Sequence, residues 1–254
     1  MPKQKNITPV EQQKTLHRNL NFTAAEAYKL LRTNLQFALP GSEGEACRII
    51  GVTSSVRGEG KSTTAVNLSY TLAETGKKVL LVDADMRLPS IGKKLEIPNA
   101  PGLSNVLISN GADTKIAIRQ SKIEANWWIV TAGDIPPNPS ELLGSRRMQT
   151  IWKALANEFD YIVVDLPPVN VVSDALVVSP ALDGLIVVVR ENYTERKELR
   201  SCIRQLNLSN AKILGIVMTG VRETLTRYGK HKRRGGKYGY GSSRPAPEDA
   251  SGGD

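Results

Sequence analysis

Ten consecutive residues from Ser54 to Thr63, SSVRGEGKST, place small, hydroxyl-bearing and basic side chains at a spacing suited to phosphate. Gly58 and Gly60 let the backbone turn so that successive N–H groups point at one anion. Lys61 adds a positive charge for phosphate oxygens, and the Ser62 hydroxyl is a ligand for Mg²⁺. The stretch therefore predicts a site for a nucleoside triphosphate, with ATP and Mg²⁺ as ligands. The predicted phosphate contacts are Arg57, Gly58, Glu59, Gly60, Lys61, Ser62 and Thr63.

The spacing matches the Walker A pattern of a P-loop, with one exception. Ser55 stands where the pattern has its first glycine, and four residues later come Gly60-Lys61-Ser62. The motif follows an apolar, strand-like run and opens a helical pattern, which is the setting that a P-loop needs. The alternative, a glycine-rich turn that binds nothing, does not account for this setting.

Three aspartates follow two further apolar runs and could complete the chemistry. Asp165 ends Tyr161 to Val164, at the position of a Walker B carboxylate, and Asp83 and Asp85 end Val79 to Val82. Residues two apart in an extended chain point to the same side. One of this pair could therefore accept a proton while the other holds a metal through water. The alternatives are a helix cap or turn at Asp165 and a solvated turn at Asp83 and Asp85.

Strand patterns alternate with helix patterns along most of the chain. Apolar runs near residues 48–53, 79–82, 161–164, 184–189 and 213–218 are separated by amphipathic or polar stretches. This alternation predicts right-handed βαβ units. We expect an α/β fold of the P-loop NTPase class: a mostly parallel central sheet with helices on both faces, in three α/β/α layers.

Composition divides the 254 residues into three parts. Residues 1–22 are polar and predict a mobile arm without a signal peptide, residues 23–221 form the predicted domain, and residues 222–254 predict a disordered tail. The net charge is +9, and the stretch from Arg222 to Arg244 is strongly basic, because its arginines and lysines are opposed by Glu223 alone. Two cysteines give neither a disulfide framework nor a metal spacing, and no apolar run approaches the roughly 20 residues of a membrane span.

A helix is predicted from Thr23 to Leu39 because apolar residues recur on one of its faces. Thr23 and Glu26 have the spacing of a capping box. Glu26, Lys29 and Arg32 step by three along a separate flank.

Together these segments carry a specific resemblance. The motifs TSSVRGEGKS, VLLVDADMR and IVVDLPP resemble the Walker A, A′ and B motifs of the bacterial tyrosine kinases of capsule and exopolysaccharide synthesis, the BY-kinases. EAYKLLRTNLQF resembles their oligomerisation helix, and PPNPSELL a loop and helix typical of them. The match runs from about Thr23 to the end of the chain. It resembles the separate kinase chain of the Gram-positive arrangement, in which the transmembrane activator is another polypeptide.

The resemblance implies a role for each matching residue. Asp83, Lys61 and Asp85 would be catalytic, with Asp83 as the base for the tyrosine hydroxyl. Ser62, Asp85 and Asp165 would hold Mg²⁺. Glu26, Lys29 and Arg32 would pack subunits into a homo-oligomeric ring, for which an octamer is one size. The kinase would act on protein substrates in the cytoplasm, held at the inner face of the membrane by its activator.

Tyrosines of the tail are the expected phosphate acceptors. Tyr228, Tyr238 and Tyr240 lie among glycines and basic residues. Phosphorylation in trans within the ring is expected to lead to ring dissociation. The alternative is that a Gly-Tyr tail is only a low-complexity linker.

Some positions depart from the family pattern. Lys29 stands where arginine is usual and loses the bidentate fork. Arg57 replaces a proline, and Met218-Thr219 replaces an expected Leu-Asn pair on the adenine side.

Two other classes share some of these features. A ParA/MinD-like ATPase switch has the same fold, but it carries a signature lysine where this chain has Val56. A nucleotide-regulated protein whose basic tail binds nucleic acid is the second alternative, although such a charge run is more often solvated and no specific nucleic acid is expected. A GTPase is disfavoured because no N-K-x-D motif occurs.

Overall fold

A computed structural model describes residues 19–39, 47–109 and 117–221. The predicted tail, residues 222–254, and the predicted arm up to residue 18 lie outside the described residues. Within the described ranges, seven strands form one sheet in the order β3-β4-β2-β5-β1-β6-β7. The strands are β1 Arg48–Ser54, β2 Val79–Asp83, β3 Ile118–Gln120, β4 Trp127–Val130, β5 Tyr161–Asp165, β6 Gly184–Arg190 and β7 Ile213–Thr219.

Helices connect the strands and cover the sheet. They are α1 Phe22–Ala38, α2 Lys61–Ala73, α3 Ile91–Leu95, α4 Leu103–Ile108, α5 Pro139–Leu143, α6 Arg146–Ala156, α7 Asp174–Val178 and α8 Arg196–Leu208. One core contains buried residues of α1 and α2, and a second contains buried residues of α4 to α8. The three-layer α/β/α prediction is therefore confirmed.

Alternation along the strands explains why both faces of the sheet carry a core. In β2, Leu80 and Val82 pack into one core while Val79 and Leu81 pack into the other. Such aliphatic strands, buried on both faces, are typical of parallel sheets. Gly51 in β1 has no side chain for a packing reason, because a Cβ there would lie 2.4 Å from Leu185 Cδ2.

Two details differ from the sequence-based expectations. Helix α1 is capped by Asn21, whose Oδ1 accepts a hydrogen bond from Ala24 N at 2.8 Å, so the prediction of Thr23 as the cap was wrong. Asparagine and threonine are both good N-caps, and the pattern could not choose between them. Strand β3 pairs antiparallel with β4 at the sheet edge and was missed, because three residues are too short to show a period.

The order of the strands decides where a site can form. Strand β5 lies between β2 and β1 and is parallel to both, so the carboxyl ends of the three strands meet. Ligands of open α/β sheets bind at this end of the strands. No helix of the described ranges is long and apolar enough to span a bilayer.

Candidate functional site

The loop from Ser55 to Gly60 joins β1 to α2 and needs glycine at two positions. Gly58 and Gly60 have φ values of 84° and 97°, which side chains rarely adopt. A Cβ on Gly58 would lie 3.1 Å from Tyr193 Oη, and one on Gly60 would lie 3.2 Å from Thr219 Cγ2. A side chain at either position would therefore be opposed by the backbone conformation and by a close neighbour.

Backbone donors of this loop fit an anion. Within the described ranges, the N–H groups of Arg57, Gly58, Glu59 and Gly60 donate no hydrogen bond to the protein. Helix α2 begins immediately afterwards, so its positive dipole end faces the same space. Free backbone donors at a helix N-terminus form a ready-made phosphate site.

The side chain of Glu59 stabilises the loop from inside. It is fully buried, and its carboxylate accepts a hydrogen bond from Val56 N at 2.8 Å and another from the Thr194 hydroxyl. Glu59 was predicted as a phosphate contact; its backbone N–H can still serve, but its carboxylate holds the loop in shape.

Three residues from beyond the loop also hold its carbonyls. Tyr193 Oη donates to Arg57 O at 3.0 Å, Arg190 Nη1 to Gly58 O at 3.2 Å, and Thr219 Oγ1 to Glu59 O at 2.6 Å. The Arg190 guanidinium also lies 5.5 Å from the centre of the Tyr193 ring. Sequence reasoning missed these supports, because each joins residues more than a hundred positions apart.

Lys61 lies at the centre of the predicted catalytic residues. Its Nζ is 2.8 Å from Asp85 Oδ2, 3.3 Å from Asp165 Oδ1 and 3.2 Å from Ser62 Oγ. Burial lowers the pKa of Lys61, but the charges of Asp165 and Asp85 outweigh it and leave that pKa above its ordinary value. The lysine is therefore charged at any physiological pH and balances a cluster of carboxylates.

Asp83 and Asp165 lie side by side in register on β2 and β5. Asp83 Oδ1 accepts from Asp85 N at 3.2 Å, and Oδ2 accepts from Ser90 N and Ile91 N, each at 3.1 Å. Burial and the charge of Asp165 raise the pKa of Asp83 to about 7. Burial also raises the pKa of Asp165, against the opposing charge of Lys61.

The loop after β2 is tied to the far side of the site by Arg87. Its Nε and Nη2 donate to the two oxygens of buried Asp174 at 2.9 and 3.1 Å, and Nη2 also donates to Ser140 Oγ at 3.0 Å. The Ser140 hydroxyl donates to Asp174 as well. The A′-like loop is thus fixed to α5 and α7, and Asp174 and Ser140 are two supporting residues that the sequence analysis did not identify.

The donor set fits Mg²⁺ held together with phosphate. Asp165 Oδ2 is buried and has no hydrogen-bond partner in the described ranges, so it is free to accept from a ligand. Asp85 Oδ2 and Ser62 Oγ are the other oxygens around Lys61 Nζ. No group of three or more His, Cys, Asp or Glu side chains suited to a metal occurs among the described residues. Mg²⁺ commonly binds one or two carboxylates plus substrate phosphates, which matches this sparser set.

The predicted oligomerisation residues make different kinds of contact. Glu26 and Lys29 form an exposed ion pair of 2.7 Å one turn apart. Arg32 Nη1 instead donates to Thr71 O at 2.8 Å, which ties α1 to α2 of the same chain. The predicted acceptors Tyr228, Tyr238 and Tyr240 lie outside the described residues.

Comparison with known proteins identifies relatives that match most of the chain. The model of the AAA domain family matches residues 47–215. The tyrosine-protein kinase CpsD of Streptococcus agalactiae is 34% identical over 215 residues, which cover 84% of this chain and 89% of the relative. The tyrosine-protein kinase YwqD of Bacillus subtilis (strain 168) is 33% identical over 237 residues, covering 93% and 91%.

Solved structures give the same grouping. The kinase domain of the Escherichia coli tyrosine kinase ETK superposes with a TM-score of 0.73 at 30% identity, covering 86% of this chain and 80% of that one. The cell division ATPase MinD of Pyrococcus furiosus superposes with a TM-score of 0.56 at 26% identity, covering 67% and 71%. The switch ATPases are thus the more distant relatives.

Proposed function

This chain belongs to the bacterial tyrosine-protein kinases, and we propose how its site performs their activity, the transfer of the γ-phosphoryl group of ATP to tyrosine hydroxyls of proteins. The observation that supports the assignment best is the convergence of Lys61, Asp85 and Asp165 in front of the P-loop, with Asp83 beside Asp165. This places a charge for the phosphates and a set of carboxylates at one end of the sheet.

The P-loop binds the phosphates of ATP through the free N–H groups between Arg57 and Gly60 and through the N-terminus of α2. The positively charged Lys61 binds phosphate oxygens. These contacts replace part of its present contacts with Asp85 and Asp165. Because Glu59, Thr194 and Thr219 already hold the loop, little ordering is needed when the nucleotide binds.

Ser62, Asp85 and Asp165 are the residues that would hold Mg²⁺. When bound, the ion neutralises charge that develops on the phosphate oxygens during transfer. Asp165 brings a buried carboxylate oxygen that has no hydrogen-bond partner among the described residues, and Asp85 brings an oxygen that pairs with Lys61.

Asp83 is the proposed base for the tyrosine hydroxyl. A carboxylate has about four acceptor positions, and three of these accept backbone N–H groups, which leaves one on Oδ1. The tyrosine O–H bond breaks and its proton passes to Asp83. The phenolic oxygen forms the new bond to the γ-phosphorus, and the bond to the bridging oxygen of ADP breaks. Positioning, more than covalent help, drives such a transfer.

Tyr228, Tyr238 and Tyr240 are the proposed acceptors within the chain. They lie among basic residues, and each phosphate adds roughly 1.5 to 2 negative charges there. We propose that Glu26 and Lys29 contact neighbouring subunits in a ring and that Arg32 holds the helix in place for this contact. A transmembrane activator would keep the kinase at the inner face of the membrane, where it regulates the synthesis and export of capsular or exopolysaccharide.

The experiment follows γ-labelled phosphate. The full chain is incubated with ATP and Mg²⁺, with and without the cytoplasmic segment of an activator, and phosphotyrosine and free phosphate are quantified separately. We expect label on Tyr238 and Tyr240 in the wild type. Lys61→Met should lose it, while Lys153→Met, which removes an exposed lysine from α6, should keep it.

The same experiment tests the ATPase-switch alternative. Val56 occupies the position of the signature lysine of that class, and this favours the kinase. Label that passes only to water, from a folded wild-type chain with the activator segment present, would support the switch instead. Labelling of Lys61→Met at the wild-type level would contradict the site assignment.

A further inference from the structure

Lys94 is a second lysine beside the phosphate loop, and the activity described above does not use it. It lies in α3, the helix that follows β2 and its loop; Asp83 ends β2 and Asp85 lies in that loop. Its Nζ is 3.2 Å from the hydroxyl of Thr63, the last residue of the P-loop stretch. The chain thus brings an ammonium group from a separate helix to the start of α2.

The charge of Lys94 has no counter-ion in the described part of the chain. Its Nζ forms no ion pair there, and the Thr63 hydroxyl is its hydrogen-bond partner. Burial lowers the pKa of Lys94, the charge of Asp165 opposes this, and the charges of Lys61 and Lys93 add to it. A half-buried ammonium group that meets only a neutral hydroxyl is costly, and an anion would relieve that cost.

Lys93, the preceding residue of α3, differs from Lys94 in its exposure to solvent. It is exposed, whereas Lys94 is half-buried against the P-loop. A helix that needed positive charge only for solubility, or for its own C-terminal dipole, would be served by Lys93. The inward position of Lys94 therefore indicates a ligand on the phosphate side.

We propose that Lys94 is a second phosphate-binding lysine, which contacts the γ-phosphoryl group of ATP from the side of Asp83 and Asp85. The proposal rests on the function proposed above. The γ-phosphoryl group is favoured over the inner phosphates because the start of α3 is bonded to the proposed base for the acceptor: Ser90 N and Ile91 N donate to Asp83 Oδ2. Lys94 and Lys61 would then both contact the phosphoryl group that moves.

Nucleotide binding to the full chain, measured by isothermal titration calorimetry with Mg²⁺, tests this without turnover. The probes are ADP and a non-hydrolysable ATP analogue. The variants are Lys94→Gln, Lys94→Arg and the matched control Lys93→Gln, each checked by thermal unfolding. A charge-assisted hydrogen bond has a net value that corresponds to roughly tenfold or more in affinity.

For Lys94→Gln we expect the dissociation constant of the ATP analogue to rise roughly tenfold and that of ADP less than twofold. Lys93→Gln should leave both nearly unchanged, and Lys94→Arg should restore most of the affinity. Unchanged binding of the analogue by folded Lys94→Gln, or an equal loss for both nucleotides, would overturn the proposal.

The same measurements distinguish a failure of the proposed role of Lys94 from a failure of the proposed kinase function. If the wild type binds both nucleotides and labels tyrosine, and Lys94→Gln binds as the wild type does, the role of Lys94 alone fails. A wild-type chain that binds neither nucleotide overturns both the role of Lys94 and the proposed site.

Discussion

Glu59 in the phosphate loop is fully buried and accepts hydrogen bonds from Val56 and Thr194, whereas Glu26 on α1 is exposed and pairs with Lys29 one turn away. Apolar side chains of α1 are exposed as well. Its side chains of Phe22, Leu30 and Phe37 are 80%, 61% and 80% exposed. Leu35 of the same helix is buried.

This difference indicates which of the two regions has all its stabilising contacts within one chain. The phosphate loop is held by side chains from β6, β7 and the turn after β6, so its shape does not depend on a partner. Helix α1 is anchored by Leu35 and by the bond from Arg32 to Thr71, and it leaves an apolar surface exposed. Exposed apolar side chains of this size are typical of an interaction surface. We therefore expect substitutions in the two regions to change different measurements.

The largest effect is expected at the anchor of α1. Leu35→Ala removes a buried side chain and should lower the free energy of unfolding by about 2 to 5 kcal/mol. Nucleotide affinity of the folded fraction should stay within twofold, because α1 is bonded to α2 at Thr71, near the end of α2 that is remote from the P-loop. Urea unfolding and calorimetry check this. A variant with wild-type stability would show that α1 does not dock on the chain as described.

A smaller loss is expected inside the phosphate loop. Glu59→Ala leaves the Val56 N–H and the Thr194 hydroxyl without their acceptor, which costs about 1 to 3 kcal/mol. Both stability and ADP affinity should fall, because the loop loses its shape. Glu74→Ala, an exposed control at the end of α2, should change neither. Unchanged ADP affinity in Glu59→Ala would break the link between the buried carboxylate and the loop.

Thr219 tests a weaker support of the same loop. Thr219→Val keeps the shape of the side chain but removes the bond to Glu59 O, with an expected cost of about 0.5 to 1.5 kcal/mol. ADP affinity should fall a few-fold. Thr150→Val removes an exposed hydroxyl from α6 and is the control. If both variants bind ADP equally well, Thr219 is only a packing residue.

The smallest change in stability is expected on the exposed face of α1. Phe37→Ala should alter the free energy of unfolding by less than about 0.5 kcal/mol, because the ring is already in solvent. Sedimentation velocity should nevertheless show weaker self-association. Wild-type assembly of this variant would remove Phe37 from the proposed contact surface.

The features that could be predicted from the sequence are those encoded in short, contiguous motifs. Motifs located Asp83, Asp85 and Asp165 at the ends of apolar strands and Lys61 at the start of a helix. The strands themselves were recognisable because they are aliphatic on both faces. The parallel three-layer fold followed from the same alternation.

What could not be predicted depends on contacts between distant residues. The bond between Thr194 and Glu59 joins positions 135 apart, and that between Thr219 and Glu59 joins positions 160 apart. The pairing of Arg87 with Asp174 is of the same kind. One sequence gives no period or spacing for such pairs. Lys94 also looked like any basic residue of a short helix until the fold placed it against Thr63.

The most direct test of the central claim, that one chain holds a complete nucleotide site, is sedimentation velocity of the full chain with a fluorescent ADP analogue and Mg²⁺. The concentration series should span monomer and assembly, with Lys61→Met as the control. We predict that the analogue sediments with the wild-type monomer as tightly as with the assembly, and that Lys61→Met carries little of it. Nucleotide that sediments only with the assembly would contradict the account, because the site would then need a second chain to form.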